Sequence, residues 1–137
     1  MSRRVAREGV LRALFQMDFA GAEVDTAIDY AINDLELTEN GLNFLREIVY
    51  GTIEKMEEID ALINEYAVDW TVERMPTVDR NILRAAIYEI LYRDDIPASV
   101  AVNEAVELAK KYGDRDSFRF VNGLLGNVVR RFREDQS

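Results

Sequence analysis

Apolar residues along this chain recur three and four positions apart rather than two. That spacing lines up one face of a 3.6-residue turn, so the pattern predicts an all-helical protein. A first helix is expected over residues 3–20, with Ser2 as cap and Gly21 as stop, burying Ala6, Val10, Ala13, Leu14 and Met17. A second follows Asp25 with Ile28, Ile32 and Leu35 inward. After Thr38 the period runs through Leu42, Leu45, Ile48, Val49, Ile53, Met56, Ile59, Leu62 and Ile63 to Tyr66. That is long for a globular helix, and a break is expected near residues 56–59.

Pro76 disfavours a helical Met75, and Thr77 is placed to cap the next helix. That helix, "VDRNILRAAIYEILYR", offers Val78, Ile82, Ala85, Ala86, Tyr88 and Leu91 for burial. "DDIP" breaks it. Another starts near Ser99 and stops at Gly113, read as a left-handed cap. The last is "SFRFVNGLLGNVVRRF", residues 117–132. About seven helices with short loops make one compact bundle and a single domain over residues 1–137.

Composition narrows the chemistry. At 48% apolar and 31% charged, the 137 residues can bury a core and stay soluble. The absence of cysteine excludes disulfide and thiolate chemistry, and the absence of histidine removes the commonest metal ligand and general base. No apolar run approaches the ~18 residues of a membrane span, so a cytoplasmic protein without a membrane partner is expected. The acidic pairs Glu57–Glu58 and Asp94–Asp95 are sequence neighbours whose side chains diverge on a helix. No phosphate-cradling glycine loop is present, so neither an enzyme nor a cofactor or metal is expected.

Net charge is −9, which taken alone argues against a nucleic-acid partner. The distribution reverses that argument. Residues 1–12 carry a net +3 and residues 110–133 a net +5, against −15 for residues 13–109, and Glu134 and Asp135 complete the total. Such polarity suits one anionic and one cationic partner. The bland alternative is that the acidic helices are simply solvated faces.

On a helical wheel, Phe118, Val121, Leu124, Leu125, Val128 and Phe132 share the core stripe of the last helix. Phe120 falls on the flank, near Asn127 and Arg131 in angle, where a ring can stack on an unpaired base. Gly123 points away from the core, near Arg119 and Arg130. Glycine there sacrifices roughly 1 kcal/mol of helix propensity, which close approach of a ligand would explain. The competing reading is that Phe120 packs under a loop and the glycines carry no role. At the other end, Arg3, Arg4 and Arg7 form either a phosphate-gripping arm or a solvated terminus.

Three segments carry a family resemblance. "RRVAREGVLRALFQ", "VDRNILRAAIYEIL", and above all "IPASVAVNEAVELAKKYG" followed by "DSFRFVNGLL" resemble the bacterial NusB transcription antitermination factors, over nearly the whole chain. The resemblance implies an all-α fold of about seven helices in two small subdomains. It implies binding of single-stranded boxA RNA together with NusE, a small-subunit ribosomal protein, within the elongating RNA polymerase complex, in support of ribosomal RNA operon transcription. The family's RNA surface would fall on Arg3, Arg4, Arg7, Phe15, Tyr66, Arg119 and Phe120, with Asp116 as an acid that modulates affinity. Asp79 matches a position facing NusE. A homodimer that occludes the RNA surface is the other assembly the resemblance allows.

The chain departs from the family in two places. Its arm is short, and position 15 is phenylalanine where tyrosine can occur, so stacking remains without a hydroxyl hydrogen bond. Both departures imply weaker RNA binding alone and more dependence on the partner. Two other readings stand beside this one. A related helical domain is fused to RNA cytosine methyltransferases; that reading needs an α/β domain after the helices and applies only if this chain, which stops at Ser137, is a fragment. A helical protein-interaction module without RNA binding is the third.

Overall fold

The computed structural model describes residues 2–133; Glu134 and Asp135 lie outside the described residues. Seven α-helices follow in order: α1 Ser2–Ala20, α2 Val24–Ile32, α3 Glu39–Glu54, α4 Met56–Tyr66, α5 Thr77–Tyr92, α6 Ala98–Tyr112 and α7 Ser117–Phe132. A 3₁₀ turn, Val72–Arg74, sits between α4 and α5, and no strand occurs among the described residues. None of these helices is long and apolar enough to cross a membrane.

The helix ends follow local chemistry. α1 already includes Ser2, and it stops at Gly21, whose φ of 71° is the left-handed conformation glycine adopts without strain. Glu23 accepts a hydrogen bond from the Thr26 backbone N–H at 3.2 Å, so α2 begins one residue before Asp25. Thr38 Oγ1 accepts from the Gly41 N–H at 3.0 Å and starts α3. The expected break in the long helical run falls at Lys55, just ahead of the 56–59 window. Besides Ser2, two of the expected caps differ. Thr77 is the first helical residue of α5, behind Pro76, and makes no cap. Gly113 has φ −91° and is not left-handed; a Cβ there would meet the Ser117 side chain at 2.7 Å and the Ala109 carbonyl at 2.8 Å, so space makes the demand.

α1 packs on α2 and α3, while α5 packs on α4, α6 and α7; contacts of α5 with α1 and α3 join the two lobes through one continuous core. α5 is the central helix. Its apolar buried residues Ile82, Leu83, Ala86, Ile87 and Ile90 share one broad face, Asn81 and Glu89 extend the buried surface past it, and of the remaining positions only Tyr92 is exposed. Close crossings need glycine: a Cβ at Gly51 of α3 would lie within 2.4 Å of the Tyr88 ring on α5.

Polar chemistry crosses the same seam. Asp18 on α1 receives Arg80 twice at 2.7 Å, Asn81 at 2.8 Å and Arg84 at 3.1 Å. Arg84 continues to Asp60 on α4 at 2.8 and 2.9 Å. Burial works to raise the Asp18 carboxyl, but the hydrogen bonds and charges of these partners outweigh it and hold it below its ordinary value.

Candidate nucleic-acid interface

The N-terminal arm divides by depth. Arg3 and Arg4 are exposed, whereas Arg7 is only 7% accessible and donates to Glu89 of α5 at 2.9 and 2.7 Å. Arg7, expected in the arm beside Arg3 and Arg4, therefore ties α1 to α5 from a buried position. Arg4 itself is paired with Glu104 of α6 at 3.2 and 2.7 Å, but most of its side chain stays in water. Phe44 of α3 lies under Arg3, Arg7 and Arg93, whose guanidinium carbons are 4.7, 5.1 and 5.4 Å from its ring centre. Arg93 in turn hydrogen-bonds Asp95 and pulls that carboxyl down to about 2.

Along α7 the aromatics differ in part from the wheel assignment. Phe118 is half-buried against the core, with Lys110 and Arg119 over its ring at 5.4 and 5.0 Å. Phe120 is also half-buried. Trp70, from the α4–α5 connection, meets it edge-on, with ring centres 5.3 Å apart at 77°. Phe132 is exposed instead of lying in the core stripe. Tyr66, at the end of α4, accepts a hydrogen bond from Arg131 at 3.2 Å, and Arg131 also reaches Glu65 at 2.8 Å. α7 thus gathers Tyr66 and Phe120 on its α4-facing flank, with Arg131 between helix and solvent. Arg119 is exposed and reaches Asp116, itself exposed, at 3.0 Å. Gly123 has no neighbour within 4 Å and leaves an open patch on the same helix.

Phe15 lies elsewhere. It stacks on Phe19 and lines an open groove of about 610 Å³ with Leu11, Arg12, Tyr30 and Tyr112. Asp79, expected to face the partner, is buried in this chain at 3% exposure. Burial raises its pKa, the Ser117 hydroxyl works against that, and Asp114 adds to it. Trp70 and the Tyr30–Tyr112 groove were not singled out from sequence; a lone tryptophan in the connection that ends at Pro76 was the signal for the first.

These features define a small all-helical binding domain with a cationic, aromatic-edged face on α7 and an arginine arm on α1. The NusB family model matches residues 4–130, and the chain belongs to the NusB family, whose members are transcription antitermination proteins. It is 53% identical over 140 residues to the transcription antitermination protein NusB of Symbiobacterium thermophilum, covering 95% of this chain and 90% of the relative. Against the Bacillus subtilis protein of the same name it is 44% identical, covering 93% and 95%. Among solved structures, T. maritima NusB superposes with a TM-score of 0.89 at 34% identity, covering 98% of this chain and 94% of that one. A crystal structure of the antitermination factors NusB and NusE in complex with dsRNA gives 0.87 at 22% identity, covering 96% and 98%, and speaks for the fold alone.

Proposed function

We propose that this chain is a transcription antitermination factor that binds boxA-type single-stranded RNA together with NusE and acts on the RNA polymerase elongation complex in ribosomal RNA operons. The observation that carries this reading is the α4-facing flank of α7, where Phe120 meets Trp70 and, about three turns farther along, Arg131 bonds Tyr66, in the basic part of an otherwise acidic chain. Rings beside a guanidinium suit unpaired bases, and exposed arginines suit phosphates. Arg3, Arg4 and Arg119 supply the charge, and Asp116 competes with phosphate for Arg119. Arg7 and Asp79 support the site from within, as buried links of α1 to α5 and of α5 to the start of α7.

The basic ribosomal partner has its own support. Residues 22–39 carry six carboxylates and no cation, and this acidic segment borders the groove lined by Phe15, Tyr30 and Tyr112. Phe15 then serves the partner face as much as the RNA. Fluorescence anisotropy with boxA and scrambled RNA, at two salt concentrations and with or without NusE, tests the proposal. Binding should prefer boxA, tighten with the partner and weaken with salt, and Arg4→Ala should reduce the salt slope by about one. Equal binding of both RNAs in every condition would overturn it. Sedimentation of the same samples distinguishes a homodimer from the mixed complex.

A further inference from the structure

The connection from α4 to α5 is built around one ring. After Tyr66 the backbone turns through Asp69, the only described non-glycine residue with positive φ, at 67°. Beyond it the 3₁₀ turn is pinned from two sides. Asn64 Oδ1 accepts from the Val72 N–H at 2.7 Å, and Arg80 donates to the carbonyls of Val72 and Glu73 at 3.2 and 3.1 Å. The residue held between these fixed points is Trp70, which is 39% exposed although it rests on Phe120. Phe120 is the more buried ring of the pair. The indole therefore offers more open ring surface on this flank of α7 than Phe120 does.

We propose that Trp70 is the outer base-stacking residue of the RNA face, with Phe120 as the ring that backs it. The inference deepens the RNA-binding reading and rests on it. Three observations favour an unpaired base as the occupant over an apolar protein side chain. The exposed surface is a flat ring set edge-on to a second ring. Arg131 stands on the same flank, bonded to Tyr66 and exposed on its outer side, where it can meet a phosphate. The neighbouring exposed positions of α7 are cationic at Arg119 and Arg130. Indole offers the largest π-face of any side chain and stacks without choosing among bases. Trp70 would therefore contribute affinity rather than sequence preference.

Trp70 is the sole tryptophan of the chain, so its emission reports on this one position. The test is a titration of the full chain with boxA RNA, following tryptophan emission and the anisotropy of labelled RNA in parallel. Stacking should quench the emission along the same saturation curve as the anisotropy. Trp70→Leu, which keeps apolar cover on Phe120, should weaken binding about 5- to 150-fold, the range for one stacked base. Trp70→Phe should recover most of that loss, and circular dichroism melting of both variants should stay near that of the unmodified chain. Anisotropy that saturates without quenching, together with unchanged affinity in Trp70→Leu, would overturn the role of Trp70 and leave RNA binding intact. No anisotropy change with boxA RNA would overturn both.

Discussion

Asp79 shows what burial does to a single carboxylate. One of its oxygens, Oδ1, is buried without a hydrogen-bond partner, and its pKa is raised. An acid whose pKa is higher in the folded state stabilises the fold only while protonated. That contribution is complete below the unfolded value near 3.8 and is lost as pH rises through the folded value. At neutral pH the charge is therefore a burden. Asp79→Asn is expected to raise the melting temperature at pH 7 and to lose that gain as pH falls below about 4; a gain that is independent of pH would contradict the account. The sequence showed the acid but not its depth, because a wheel assigns angles on one helix and cannot see that α7 begins against it. Arg7 failed to read as internal for a similar reason: its partner, Glu89, lies 82 positions away.

At the scale of elements, helix positions were legible where the signal was local. Thr38 caps α3 and Gly21 ends α1 through their own neighbours. α5 was less legible because a one-sided stripe is the wrong template for a helix covered on every side. Its polar residues Arg80, Asn81 and Arg84 converge on Asp18 and hold α1, α4 and the 3₁₀ turn to one helix. Removing the acid leaves two guanidiniums without their shared partner in a half-dry seam. Asp18→Ala is expected to reduce stability by about 2–4 kcal/mol, somewhat less than a fully buried pair would lose, as read by urea denaturation. A loss under about 0.5 kcal/mol, the level of an ordinary surface pair, would show that the network contributes little. The same seam anchors the loop that carries Trp70, so element packing and the RNA face are linked through Arg80.

Over the whole molecule, charge and rings separate into faces. The ends of a −9 chain are basic, and Arg3 and Arg4 of α1 and Arg119 and Arg131 of α7 are all exposed. The acidic segment of residues 22–39 lies beside the groove of Phe15 and Tyr30. Charge polarity was readable from the sequence. The division of labour between Phe118 and Phe120 was not, because it depends on the loop that swings Trp70 over one of them. The central claim is that RNA is held on α7 and the arginine arm. The most direct test is to titrate the isotope-labelled chain with boxA RNA and map the backbone amide shifts by NMR. The account predicts that the shifts concentrate at Arg3, Arg4, Tyr66, Trp70, Arg119 and Phe120 and leave α2 unmoved. Shifts centred on Phe15, Tyr30 and Tyr112, with α7 unmoved, would contradict it.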